Sequence, residues 1–514
     1  MTEKLSGKRI ILGKKLSTRK LEGELLRKRI ALPIFASDPL SSVAYGPQEL
    51  LMILTLGAVG GVSTLVFAPW IAAVVVALLT IVVLSYRKVI KAYPSGGGDY
   101  EVAKTNLGQR ASLIVACALL IDYVMTVAVS IASGTDNLIS AFPALDPFRI
   151  EIAVGFILFL LAVNLRGVRE SGVAFALPTY IFISSVFIMI GTGFFRMFVL
   201  GEDLTAPSAG YDVIVEQQLE TAPLLLMFLL LRAFASGSAA LTGVEAIANG
   251  VPAFREPKIK NAQITMTWMG ITAISMFAGI VFFGITTGVQ YIEDGAQQLH
   301  GADLALFSTG PQLSVIAQLG VAIFGNGAIM FFVLQAATAT VLLLAANTAF
   351  NGFPLLASVL AKDSYAPKSL LTRGDRLVYS NGMLSLAAAA LVMILIFQAD
   401  VTRLIQLYVL GVFTSFTVGQ IGMLRHWKRG LADGTVEPRE ARSGRIINGI
   451  GATMTGIVLV IVTVTKFTEG AWMVFAIAIP LYWVMWNTAR YYKTIENEIA
   501  LDESTEYGSS GDYA

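Results

Sequence analysis

Long apolar runs separated by short polar connections dominate this 514-residue chain, and the run lengths predict its elements. Apolar windows fall near 31–58, 64–86, 112–140, 150–167, 171–199, 223–250, 262–288, 326–350, 381–399, 402–424, 446–466 and 470–489. Each approaches or exceeds the ~20 residues a helix needs to cross a ~30 Å hydrocarbon layer. A shorter stretch at 314–325 predicts a re-entrant or surface helix. The expected fold is an all-α polytopic membrane protein of about 12 transmembrane helices.

Two windows are interrupted by small polar residues, and each interruption carries a carboxylate. The first reads Ala36-Ser37-Asp38-Pro39-Leu40-Ser41-Ser42-Val43-Ala44-Tyr45-Gly46, the second Ala235-Ser236-Gly237-Ser238-Ala239-Ala240-Leu241-Thr242-Gly243-Val244-Glu245. Proline, glycine and acid are costly in a bilayer unless an opened backbone lines a binding site. The interrupted spans are the first and the sixth, so they enter the membrane from opposite sides. That placement predicts a five-plus-five inverted repeat followed by two further helices, with the substrate site at the two breaks.

Charge placement sets the expected orientation. The stretch to Arg29 holds ten Lys and Arg against three acids. Bases recur in alternate connections: Arg87, Lys88, Lys91 and Lys104; Arg166 and Arg169; Arg255, Lys258 and Lys260; Lys362, Lys368, Arg373 and Arg376; and six from Arg425 to Arg445. The intervening connections are poor in bases and often acidic, as at Glu202, Asp203, Asp212, Glu293 and Asp294. This positive-inside pattern predicts both termini in the cytoplasm. It divides the chain into a basic cytoplasmic segment 1–30, a transporter domain 31–489, and an acidic, Gly/Ser-rich tail 490–514 expected to be disordered. The first thirty residues lack the apolar core and small-residue cleavage site of a signal peptide.

Composition agrees and removes other classes. Charged residues make up 14% and mean hydropathy is +0.70, whereas a soluble protein carries roughly 25% charged residues. Cys117 is the single cysteine, so no intrachain disulfide can form. His300 and His426 fall in polar connections and cannot build a His-rich metal site. Gly96-Gly97-Gly98 lacks the Lys-Ser/Thr of a phosphate loop. No cofactor, nucleic-acid partner or enzymatic activity is expected.

Four ionisable residues fall well inside predicted spans: Asp38, Asp122, Arg232 and Glu245. A central aspartate costs about 2.5–3.5 kcal/mol to insert, so each acid needs a partner or a wet cavity. Asp122, Thr126 and Ser130 follow at i, i+4 and i+8 along one helix face. Thr242 and Glu245 are three apart and would share a face. Tyr408 interrupts the apolar run Leu404-Ile405-Gln406-Leu407-Tyr408-Val409, and the first break adds Ser41, Ser42 and Tyr45. Carboxylate, hydroxyl and carbonyl oxygens suit a hard cation. A zwitterionic amino acid would place its own carboxylate against Asp38.

Three further stretches resemble the amino acid–polyamine–organocation (APC) superfamily, which has the LeuT-type fold. They are Tyr93-Pro94-Ser95-Gly96-Gly97-Gly98-Asp99-Tyr100 with Leu107-Gly108; Asn249-Gly250-Val251-Pro252-Ala253-Phe254-Arg255-Glu256-Pro257 with Asn261-Ala262; and Asn347-Thr348-Ala349-Phe350-Asn351-Gly352-Phe353-Pro354-Leu355-Leu356-Ala357. All three are expected in cytoplasmic connections. Within the superfamily the sequence resembles the KimA-type potassium importers of the KUP family. The matching positions are Asp38 and Tyr45; Asp122, Tyr123, Thr126 and Ser130; Thr242 and Glu245; and Tyr408. The resemblance implies a potassium site at Asp38, Tyr45, Asp122, Tyr123, Thr126, Ser130, Thr242 and Tyr408, and proton coupling at Glu245. It further implies a plasma-membrane importer of potassium by proton symport, and a homodimer. In that type a cytoplasmic C-terminal domain mediates dimerisation and nucleotide sensing; this chain runs only from 490 to 514 beyond its last predicted span. The competing readings are an amino-acid permease, an intramembrane aspartyl protease and a non-transporting sensor. The protease reading wants a Tyr-Asp and a Gly-x-Gly-Asp motif, whereas the order here is Asp122-Tyr123.

Overall fold

The computed structural model describes residues 25–59, 62–167, 172–214, 217–218, 223–374 and 378–499. The predicted basic segment up to residue 24 and the predicted tail from residue 500 lie outside the described residues. Helices follow the apolar windows closely. They are α1 (Lys28–Thr55), α2 (Ala68–Ala92), α3 (Gly98–Leu107), α4 (Gln109–Ala141), α5 (Arg149–Leu165), α6 (Gly172–Phe194), α7 (Pro223–Gly237) and α8 (Ala246–Asn249). Then come α9 (Lys258–Thr286), α10 (Gly295–Gln298), α11 (Gly301–Thr309), α12 (Val315–Phe324), α13 (Ile329–Lys362), α14 (Ser380–Phe397), α15 (Val401–Ala432), α16 (Pro438–Lys466) and α17 (Trp472–Ile499). The short helix predicted at 314–325 is α12.

Exposed and buried side chains are arranged for a lipid solvent. Trp70, Leu177, Phe198 and Trp483 face outward with more than half their surface exposed. Asp38, Asp122, Glu245 and many hydroxyl and amide residues are buried. Helices satisfy their own backbone, so apolar side chains can meet hydrocarbon while polar ones turn inward.

Eleven helical segments among the described residues are long and apolar enough to cross a bilayer. The helix missing from that set is α1, which is long enough but less apolar. The other helices enclose it: every residue from Ala36 to Gly57 is buried. A helix surrounded by protein has no lipid-facing side to keep apolar.

The break expected at 36–46 is absent, for α1 runs uninterrupted through Pro33, Pro39 and Pro47. Each proline removes one N–H and frees the carbonyl four residues earlier. Local donors compensate in part. The Arg29 carbonyl, which Pro33 leaves open, accepts from the Tyr180 hydroxyl at 2.9 Å. Ser41 and Ser42 turn their hydroxyls back onto the Asp38 and Pro39 carbonyls, each at 2.8 Å, while the carbonyls that Pro39 and Pro47 free are those of Phe35 and Val43.

The sixth span does break. Helix α7 ends at Gly237, a 3₁₀ turn covers Ser238–Leu241, Thr242 is extended, and Gly243 takes φ +78° before α8 begins at Ala246. Thr242 and Glu245 therefore do not share a helix face as predicted, because the chain between them is not helical.

Some boundaries also differ. Helix α13 continues past the predicted end at 350 to Lys362, carrying Pro354 inside it. Helix α17 reaches Ile499, so residues 490–499 of the predicted tail are helical. Short helices α3, α10 and α11 occupy connections, and three brief strands (Gly57–Val59, Val62–Ser63 and Gln217–Gln218) form a small mixed sheet.

Helix α4 packs along α13 and α15, and α1 lies among α6, α7, α9 and α13. A buried polar network ties α2, α15 and α16 together behind the site. Asn448 Nδ2 donates to Ser85 Oγ at 2.6 Å and to Gln420 Oε1 at 2.7 Å, while Trp427 Nε1 donates to Asn448 Oδ1 at 2.8 Å. Ser85 also donates to Gln420. Hydrogen bonds inside membranes average about 0.6 kcal/mol each, so losing three and stranding their partners costs about 1–3 kcal/mol. Asn448→Leu should lower the unfolding midpoint of detergent-purified protein by several degrees with helix content retained; an unchanged midpoint would show the network to be energetically idle.

Candidate functional site

Helix α1 and the broken sixth span touch closely. A Cβ on Gly46 would come 2.6 Å from the Ala240 Cβ, so only glycine permits this crossing. The contact brings α1 hydroxyls onto the opened backbone. Ser42 Oγ lies 2.9 Å from the Ala240 carbonyl, an acceptor the break has freed. Thr242 Oγ1 donates to the Ala239 carbonyl at 3.0 Å, which leaves Tyr45 to donate to Thr242 at 3.1 Å. Across from this pair, Thr126 of α4 and Tyr408 of α15 meet at 3.0 Å, and Tyr408 lies close to Tyr45. Tyr45, Thr126, Thr242 and Tyr408, four of the predicted residues, thus form one hydroxyl cluster.

The three predicted acids gather beside it. Asp38, Asp122 and Glu245 are all buried, each within electrostatic range of another, and Asp122 and Glu245 face one another at hydrogen-bonding range. Asp38 Oδ1, Asp122 Oδ1, Glu245 Oε2 and Ser130 Oγ are buried without any hydrogen-bond partner. Buried polar atoms are nearly always paired. Three lone carboxylate oxygens can only accept, so what satisfies them is a proton, a cation or a donor brought from outside.

Gly243 belongs to this site, and sequence reasoning missed it. Its positive φ already favours glycine, and a Cβ there would lie 2.5 Å from Asp38 Cγ. The bare backbone lets the break press against the Asp38 carboxylate. The signal available in the sequence was a glycine between two candidate residues in an already interrupted span.

A cavity of about 340 Å³ reaches the acids from the end of the molecule where α1 begins. Asp38, Tyr123, Glu245, Asn249, Asn351 and Gly352 are among its lining residues. Asp122, Ser130 and the hydroxyl cluster lie behind this lining. Tyr123 follows Asp122 by about 100° around α4 and so turns to the cavity wall, where its ring packs on Gly352. It reaches the acids from the cavity side and takes no part in the hydroxyl cluster.

The three motif stretches converge here. Gly96, Gly97 and Gly98 all have positive φ, and the Asn249 side chain sits where a Cβ on Gly98 would be. Asn249, Asn351 and Gly352 then form one wall of the cavity. Among the described residues no three His, Cys, Asp or Glu side chains are placed to hold a metal ion; the donor set is acids with hydroxyls.

Residues 40–488 match the amino acid permease family. Over 461 residues the chain is 39% identical to the potassium transporter KimA of Bacillus subtilis (strain 168), covering 90% of this chain and 70% of that relative. With eleven apolar spans, a polar core enclosed by them and this extent of similarity, the chain is a multi-pass membrane transporter that belongs to the amino acid permease family.

Proposed function

We propose that the chain imports potassium across the plasma membrane by proton symport with alternating access. The observation that carries this reading is the set of unpartnered buried oxygens on Asp38, Asp122, Glu245 and Ser130. The potassium identity is supported by KimA of Bacillus subtilis, itself a potassium transporter. In this reading Asp38, Asp122, Ser130, Thr126 and Thr242 supply oxygens that replace the cation's hydration shell, with Tyr45 and Tyr408 bracing them. Tyr123 meets the ion at the cavity mouth. An amino-acid substrate suits the family name but not the charge: its carboxylate would enter a pocket whose own unsatisfied groups are carboxylate oxygens.

Glu245 is the proposed proton carrier. It faces Asp122 and lines the cavity, so it exchanges protons with water while sensing the occupied site. Two facing carboxylates repel, and either a proton or a cation between them relieves the repulsion. Binding of one then favours release of the other. The coupling runs from Asp122 to Glu245 directly, which replaces the helix-face route through Thr242 expected from spacing.

Asp38→Asn and Asp122→Asn should each reduce rubidium-86 uptake into vesicles to background while the protein still inserts. Near-normal uptake in either variant would remove that residue from the site. Glu245→Gln should keep cation binding but lose the acceleration of uptake by an acidic exterior; a full response to an imposed pH gradient would move the proton role to Asp122. Cysteine placed at Gly210 should label from outside the cell and at Thr435 only from inside, and the reverse pattern would invert the proposed cytoplasmic termini.

A further inference from the structure

At the other end of α1 a second cavity of about 440 Å³ lies between the ends of α4, α14 and α15. Its wall carries Asp136, Asp146, Glu293 and Asp400 against Arg149 and Arg403. Arg149 is engaged by Asp136 and Asp146, and Arg403 lies 3.5 Å from Asp400. The two bases thus leave an acidic balance on this wall.

Thr402 forms part of the cavity lining and donates to Glu49 Oε1 at 2.9 Å. Glu49 lies on α1, is fully buried, and its Oε2 has no partner. One turn further along α15, the buried Gln406 Oε1 also lacks a partner. Glu49 is one helical turn, ~6 Å, beyond Tyr45 on α1. Gln406 precedes Tyr408 by two residues. Gln406 shares the face of α15 that carries Thr402, so along the helix axes the two open acceptors lie at heights between the second cavity and the level of Tyr45 and Tyr408.

We propose that Glu49, Thr402 and Gln406 form a waystation holding a partly dehydrated alkali cation between the second cavity and the central acids. The proposal rests on the transport reading above. A carboxylate, a hydroxyl and an amide carbonyl present oxygens of graded field strength, the chemistry that replaces water around an alkali ion. A glutamate kept only for structure would bring both oxygens to donors, as buried charges are paired and hydrogen-bonded. The charges that act on Glu49 are the buried Lys466 on α16 and, opposing it, Asp400 and Glu293. Lys466 offsets the carboxylate's charge when the waystation is empty and competes with an arriving ion.

The test uses the full chain in sealed vesicles of defined sidedness, with rubidium-86 as the probe. With rubidium supplied at the face bearing the second cavity, Glu49→Gln should raise its half-saturating concentration about tenfold, as expected for one lost contact to a charged group. Supplied at the opposite face, half-saturation should stay at the wild-type value. Thr402→Val should shift it in the same direction by a smaller factor and decides the matter if the Glu49 variant fails to insert. Lys466→Gln should lower it. Equal half-saturation in wild type and in the inserted Glu49 and Thr402 variants overturns the waystation alone. Absence of rubidium flux in the wild type brings down the transport reading and the waystation with it.

Discussion

Three buried carboxylates within electrostatic reach of one another are the constraint around which this structure is organised. The strongest charges acting on Asp122 and Glu245 are other acids. Removing an ion from water costs several kcal/mol even after relaxation, and a second like charge nearby adds to it. Such a group is tolerated where something exchangeable meets the cost. In the proposed reading a proton and a cation both do so, and they compete for the same oxygens. Transport and coupling are then two aspects of one electrostatic problem.

The two polar spans solve the backbone side of that problem differently. Helix α1 keeps its path through three prolines, with Tyr180 donating to the carbonyl that Pro33 frees. The sixth span opens at Gly243, whose positive φ favours glycine, and Ser42 Oγ lies 2.9 Å from the freed Ala240 carbonyl. One rigid helix bearing Asp38 thus lies against one opened strand of backbone ending at Glu245. Relative movement between them needs changes at the break, where few helical hydrogen bonds have to be broken.

Much of this was legible in sequence because membrane helices obey strict rules. Length and hydropathy located the spans, and the cost of intramembrane acids singled out Asp38, Asp122 and Glu245. The helix spacing of Asp122, Thr126 and Ser130 held because α4 is regular there. What failed depended on tertiary context. Composition could not say that α1 would run on through its prolines, nor that the residues between Thr242 and Glu245 would leave the helix. Glu49 lies inside the predicted span 31–58 but past the interruption at 36–46 on which the reading centred, and its complete burial is what marks it out.

The structure joins the acids to the cavity at the start of α1, and in the proposed reading two hydroxyl pairs behind them take part in the closure toward the other. Tyr45 with Thr242 and Thr126 with Tyr408 are those pairs. Two such hydrogen bonds inside a membrane amount to about 1 kcal/mol at the average of ~0.6 each. The electrostatic term between a cation and the buried acids is larger, several kcal/mol even at the effective dielectric of a protein interior. A ligand shifts a two-state equilibrium by its differential affinity for the two states. In the proposed reading, occupancy of the acids outweighs these two hydrogen bonds in deciding which cavity is open. The hydroxyls set the geometry of the closed site, and the charge sets its direction.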